Sequence, residues 1–154
     1  MLTLLDGTYL TLTPLSGAPA PVLTPYAARG LTQTFEVIKS SSQTSWLRRD
    51  VNGVLRSVAD TRFRKYKTTV TCKDGETPCL DDAWIGVEVE VGCVFELSYV
   101  TGGISARPAV PGSVRTQGSV TYYRPLLLCM IEDIRVALPE YQAQYDWQVD
   151  FQEI

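Results

Sequence analysis

The stretch Val87-Glu88-Val89-Glu90-Val91-Gly92-Cys93-Val94-Phe95-Glu96-Leu97-Ser98-Tyr99, VEVEVGCVFELSY, places apolar side chains at every odd position and mostly polar or small ones between them. Successive side chains of a strand point to opposite faces, so this period of two predicts one long β-strand with a single buried face. An amphipathic helix would need the apolar residues three and four apart instead.

The same period recurs on either side. Leu31-Thr32-Gln33-Thr34-Phe35-Glu36-Val37 alternates, and Tyr66 to Cys72 places Tyr66, Val70 and Cys72 on one face with Lys67, Thr69 and Thr71 on the other. Tyr145, Trp147, Val149 and Phe151 alternate with Asp146, Gln148, Asp150 and Gln152, which predicts a full-length terminal strand with the first set inward. Val120 to Arg124 and Leu126 to Val136 are further strand material, apolar on both sides around 126–131, as in a central strand covered on two faces. Two hairpins are expected, one turning at Asp6-Gly7 between Leu2 and Thr13, the other at Asn52-Gly53 between 46–51 and 54–58. Residues 59–63 hold at most one helical turn, and no segment keeps a 3.6-residue period over ten residues. The expected fold is all-β: one antiparallel β-sandwich or barrel with long loops, a single domain over 1–154.

The connections are long. Residues 14–25 carry Pro14, Pro19, Pro21 and Pro25 and read as an extended arm; 40–45 is a polar loop; 73–86 is a loop whose Trp84 and Ile85 should tuck back onto the core. Residues 101–118, TGGISARPAVPGSVRTQG, show no period, and a loop of that length is usually functional or disordered. No apolar run approaches the roughly 18 residues that span a bilayer, and the N-terminus has no basic region of a signal peptide, so no membrane is expected and synthesis in a cytosol is.

Chemical motifs are few. Histidine is absent from the sequence, which excludes imidazole triads and histidine metal sites. Cysteines 72, 79, 93 and 129 form no close ligand pair and read as buried thiols, with Cys72 and Cys93 able to face each other if their strands are neighbours. Asp81-Asp82 and Glu132-Asp133 are adjacent carboxylates, but neighbours on a strand diverge and such pairs in loops are usually solvated. Gly102-Gly103 lacks the Lys-Ser/Thr and the helix of a phosphate loop. No cofactor, metal, catalytic residue or small-molecule substrate is expected.

Charge is segregated along the chain. Residues 46–73 hold eight cations and two anions, whereas 74–154 hold four and thirteen. Arg48, Arg49, Arg56, Arg62, Arg64, Lys65 and Lys67 fall within twenty residues, and Glu88, Glu90 and Glu96 share one face of the 87–99 strand. Interleaved Trp46, Phe63 and Tyr66 would suit nucleic acid, but the acidic remainder argues against it. A solvated hairpin face, or a contact between the basic hairpin of one copy and the acidic sheet of the next, accounts for the segregation; these cations and glutamates are the candidate protein–protein contacts.

Together, 28–36 (ARGLTQTFE), 47–53 (LRRDVNG), 63–68 (FRKYKT), 122–125 (YYRP) and 147–153 (WQVDFQE) resemble small structural proteins encoded by tailed bacteriophages, over about residue 26 to the end. The resemblance implies a non-enzymatic virion component, made in the host bacterial cytoplasm: a minor tail or baseplate protein that assembles with other virion proteins and with copies of itself. A capsid decoration protein would use the same fold. A glycan-binding module would instead expose aromatics such as Tyr99, Tyr122 and Tyr123 around a concave site.

Overall fold

A computed structural model of the chain describes residues 10–15, 31–38, 40–41, 44–74, 83–141 and 145–154. Most of the expected first hairpin, the arm beyond Leu15, Cys79 and the Asp81-Asp82 pair lie outside them. The described chain is all-β and antiparallel, with one short 3-10 turn at Thr61–Phe63. Its strands are β1 (Thr11–Pro14), β2 (Leu31–Val37), β3 (Ser40–Ser41), β4 (Thr44–Ser45), β5 (Leu47–Arg49), β6 (Leu55–Ser57), β7 (Tyr66–Asp74), β8 (Glu88–Gly92), β9 (Leu97–Val100), β10 (Arg115–Gln117), β11 (Val120–Tyr123), β12 (Leu126–Ala137) and β13 (Tyr145–Glu153).

Six strands form the main sheet in the order β1-β8-β12-β13-β7-β2, and β10-β11-β9 form a smaller one. One face of the main sheet carries the core: Val89 and Val91 of β8, Leu127, Cys129 and Ile131 of β12, Val149 and Phe151 of β13, and Val70 and Cys72 of β7. Each such side chain contributes on the order of 1.5–3 kcal/mol by leaving water. Pro14, expected to open an arm, ends edge strand β1 opposite Val89, an edge position that tolerates its missing N–H.

The stretch 87–99 is not one strand. Its alternation of burial persists, but the ladder with β12 stops at Gly92 opposite Leu126, because the next residue of β12's chain is Pro125, which has no N–H to give. Gly92 also faces Thr11 on its other side, and a Cβ there would lie 2.2 Å from Thr11 Oγ1, so only glycine passes without displacing that side chain. The Cys93 N–H still donates to Pro125 O at 3.0 Å, and residues 94–96 then leave the sheet. The Val94 N–H donates to Gln33 Oε1 of β2 at 2.8 Å, and the Phe95 ring packs 4.3 Å from Phe35. A segment adjoining β8 thereby meets β2, so the main sheet curls around its apolar face.

Strand β12 carries a bulge. Ile131 pairs with Phe151 and Asp133 with Asp150, leaving Glu132 as the extra residue. The inward positions shift parity there, from Leu127, Cys129 and Ile131 to Ile134. The expectation that β12 is covered on both faces fails: Leu128 and Met130 point outward and stay exposed. Asp150, expected outward, is buried and accepts a bond from Gln148 Nε2 at 2.9 Å. Cys72 and Cys93 are not on neighbouring strands, since β13 and β12 lie between β7 and β8. The polar stretch 40–45 contains the short β3–β4 pair.

Candidate interaction surfaces

The basic stretch begins apart from the main sheet and ends on it, at Lys67 of β7. β5 and β6 form a two-stranded sheet of their own, with Leu47 opposite Ser57, Arg48 opposite Arg56 and Arg49 opposite Leu55. The turn is not the two-residue type expected at Asn52-Gly53. Asp50 pairs with Val54 around three residues, and among the described residues only glycines take positive φ, Gly53 at 78°. That is a type I turn closed by a left-handed glycine.

Asp50 organises the tip. Its carboxylate accepts the N–H groups of Asn52 (2.9 Å) and Val54 (3.0 Å) and the Arg56 Nε (2.7 Å). The Arg56 bond first, then the Val54 N–H, holds this carboxyl below its usual range. Arg49 donates to Gly53 O at 2.8 Å.

Three of the seven candidate cations are consumed by ion pairs: Arg56 with Asp50 and Arg62 with Asp60 locally, and Lys67 with the distant Glu132 of β12. Lys65 donates to Ile154 O. Among the described residues Arg48, Arg49 and Arg64 form no ion pair, so the positive field there is uncompensated locally. Leu47, Val54, Leu55, Val58 and Phe63 around them are more than half exposed, and Val51 at the tip is fully exposed at 101%.

A second surface lies on the outer face of the main sheet. Glu88 and Met130 are ladder partners, as are Glu90 and Leu128, and Gln152 flanks Met130 on its other side. Ile154 joins the row through its N–H to Leu128 O at 3.0 Å. Trp84 and Ile85, expected to tuck inward, are both 71% exposed, while neighbouring Ala83 is buried. The cause is a turn. Val87 N donates to Trp84 O at 3.1 Å with Gly86 at φ 90°, and Gly86 N is tied to Ile131 O at 2.9 Å. Such a turn needs glycine at its third position and holds the two preceding side chains outward beside β12. Between the turn, the middle of β12 and the end of β13 lies a groove of about 400 Å³, lined by Ile85, Met130 and Ile154 with Glu132, Gln152 and Glu153.

The expected row of three glutamates is divided. Glu88 and Glu90 edge this apolar surface, but Glu96 sits in the break between β8 and β9 and is gripped by Arg115 through bonds of 3.1 and 2.6 Å, which lower its pKa. Arg115 also lies 4.3 Å above the Tyr122 ring, and Tyr123 is buried with its ring edge-on to Tyr99 at 5.7 Å. The three tyrosines therefore pack within the small sheet.

Residues 101–118 are tied down along much of their length. Residues 115–117 form β10, Val110 N donates to Arg124 O at 2.8 Å, and Leu126 N donates to Pro108 O at 2.8 Å. Arg107 reaches the nearly buried Glu153 carboxylate, donates to Arg64 O at 2.9 Å and sits 5.1 Å over the Tyr66 ring. Ile104, near the free end of the loop, is 94% exposed. Neither Arg107 nor Glu153 stood out in the sequence.

Searches of protein families, curated proteins and solved structures find no match to this chain. Among the described residues no group of three or more Cys, Asp or Glu converges as a metal site. Glu132 and Asp133 are each engaged by a cation, Lys67 and Arg135, both at 2.7 Å. Among the described residues, the surface groups that form no ion pair include Arg48 and Arg49 of the hairpin, beside exposed apolar side chains, and Glu88 and Glu90 beside the groove. Of the groove, only Met130 was legible, within the doubly apolar run at 126–131, whose outward residues Leu128 and Met130 are exposed instead of covered by a second layer.

Proposed function

We propose that this chain is a non-enzymatic structural protein of a tailed-bacteriophage virion, a minor tail or baseplate component held in the particle by its exposed surfaces. The observation that supports the reading most directly is the β5–β6 hairpin. It projects as its own small sheet and displays Val51, Arg48 and Arg49 to solvent. An isolated two-stranded hairpin adds little to its own fold, and exposed apolar residues clustered on it mark a contact surface that a partner covers. The likeness of 47–53, 63–68 and 147–153 to small phage structural proteins points the same way. Its partners are other virion proteins and copies of itself.

The test is quantitative mass spectrometry of whole virions and isolated tails. Enrichment in tails at a low multiple is the expected result. Hundreds of copies on heads would move the protein to shell decoration, and absence from particles would overturn the reading. Replacing Arg48, Arg49 and Arg64 together by glutamate should leave a folded protein that is not incorporated.

A further inference from the structure

Resting on that reading, we infer that the groove between the 84–87 turn, the middle of β12 and the end of β13 is the seat for the hairpin tip of a second copy of this chain. The two surfaces are complementary in both chemistry and sign. The apolar lining of the groove is Ile85, Met130 and Ile154, its lining carboxylates Glu132 and Glu153 are paired within the chain, and Trp84 and Leu128 are exposed beside it with Glu88 and Glu90 along the β8 side. Among the described residues neither Glu88 nor Glu90 forms an ion pair. The tip offers Val51 and Val54 as apolar inserts, with Arg48 and Arg49 behind them on opposite faces of the hairpin. Valine in a turn facing water is a poor choice for folding alone, where Gly, Pro, Asn or Asp dominate. It is a good choice for insertion into an apolar slot.

A small-molecule occupant fits less well, because the carboxylates that line the groove, Glu132 and Glu153, are already engaged by Lys67 and Arg107. Nucleic acid fits the hairpin but is repelled by the glutamates.

The hairpin and the groove are different patches, so the contact is head to tail, and it propagates to a ring if the rotation closes or to a row if it does not. The insert is small, so one contact is weak in solution and gains strength from repetition within a particle. Opposite charges across it make it weaker as salt rises.

The experiment uses the purified full chain in sedimentation velocity at low and high salt. The wild type should associate reversibly as concentration rises to about 500 μM, and less so in salt. One variant carries R48E and R49E, a second E88R and E90R; each alone should weaken association about tenfold or more, since each now sets like charges against each other. Mixed in equal amounts they should associate again, because the hairpin of each now matches the groove of the other. V51S, which leaves every charge in place, should also weaken association. A wild type that stays monomeric throughout, or a mixture no better than its components, would overturn the contact. Either result leaves the virion reading to the particle mass spectrometry, which fails independently if the protein is absent from particles.

Discussion

Arg107 and Glu153 lie 46 residues apart and join the long 101–118 loop to the last strand through paired guanidinium–carboxylate bonds. Glu153 also accepts the Tyr66 N–H at 2.9 Å, so one nearly buried carboxylate fastens the loop and the start of β7 to β13. The Glu153 bond above all raises the Arg107 pKa.

Truncating that arginine strands a carboxylate with 7% side-chain exposure. Arg107→Ala should cost about 3 kcal/mol, the low end for breaking a buried pair because the arginine itself stays partly solvated. Denaturant unfolding measures it. The double variant Arg107→Met with Glu153→Gln, which removes the orphaned charge and keeps the acceptor for Tyr66, should recover at least about 1 kcal/mol of that loss. A double variant no more stable than Arg107→Ala would show that the loss does not come from the stranded Glu153 charge.

Gly92 and Thr11 compete for one space at the edge of the main sheet. Gly92→Ala should destabilise the protein by about 1–2 kcal/mol, through a forced rotation of Thr11 or a loosened β1. Combining it with Thr11→Ala should return most of the loss. If the two costs simply add, the steric account is wrong.

The hairpin tip should respond to acid. The Asp50 carboxyl is held below its ordinary value of 3.8, so the ordered tip binds a proton less readily than the opened one. Its contribution is therefore complete above 3.8 and is lost as pH falls through the lowered value. Amide exchange at Asn52 and Val54 should accelerate in that window and in Asp50→Asn at neutral pH, with the global unfolding midpoint unchanged. Exchange that ignores both changes would exclude Asp50 as the organiser.

Cys93 and Cys129 should be inert thiols. Burial pushes both up to about 12 from an ordinary 9.0, so almost no thiolate exists in the folded protein at neutral pH. Alkylation at pH 8, mapped by mass spectrometry, should proceed at least about a thousandfold more slowly than in denaturant. Because the folded values are raised, stability should be intact below 9 and should decline as pH rises from there toward 12. Rapid labelling of native protein at either site would contradict the packing of β8 against β12.

Local sequence was sufficient for much of the fold because a strand's face is written in its own alternation. Leu31–Val37, the run from Tyr66 and the terminal strand from Tyr145 are strands where their period of two marks them, although Asp150 is buried against its alternation, and Asn52-Gly53 does turn a hairpin. The absence of histidine likewise bounded the chemistry without any coordinates. Tertiary structure decided what no window of residues contains: which strand pairs with which, and what each pairing displaces. The 87–99 alternation continues through a break because burial sets parity, while the end of a ladder depends on Pro125 and Thr11 on neighbouring strands. The Glu132 bulge, the outward turn of Trp84 and Ile85 held by Ile131 O, and the burial of Glu153 under a distant arginine are likewise set by contacts between remote segments. Side-chain period encodes a face at short range, whereas pairing order and register are fixed by contacts across long stretches of chain.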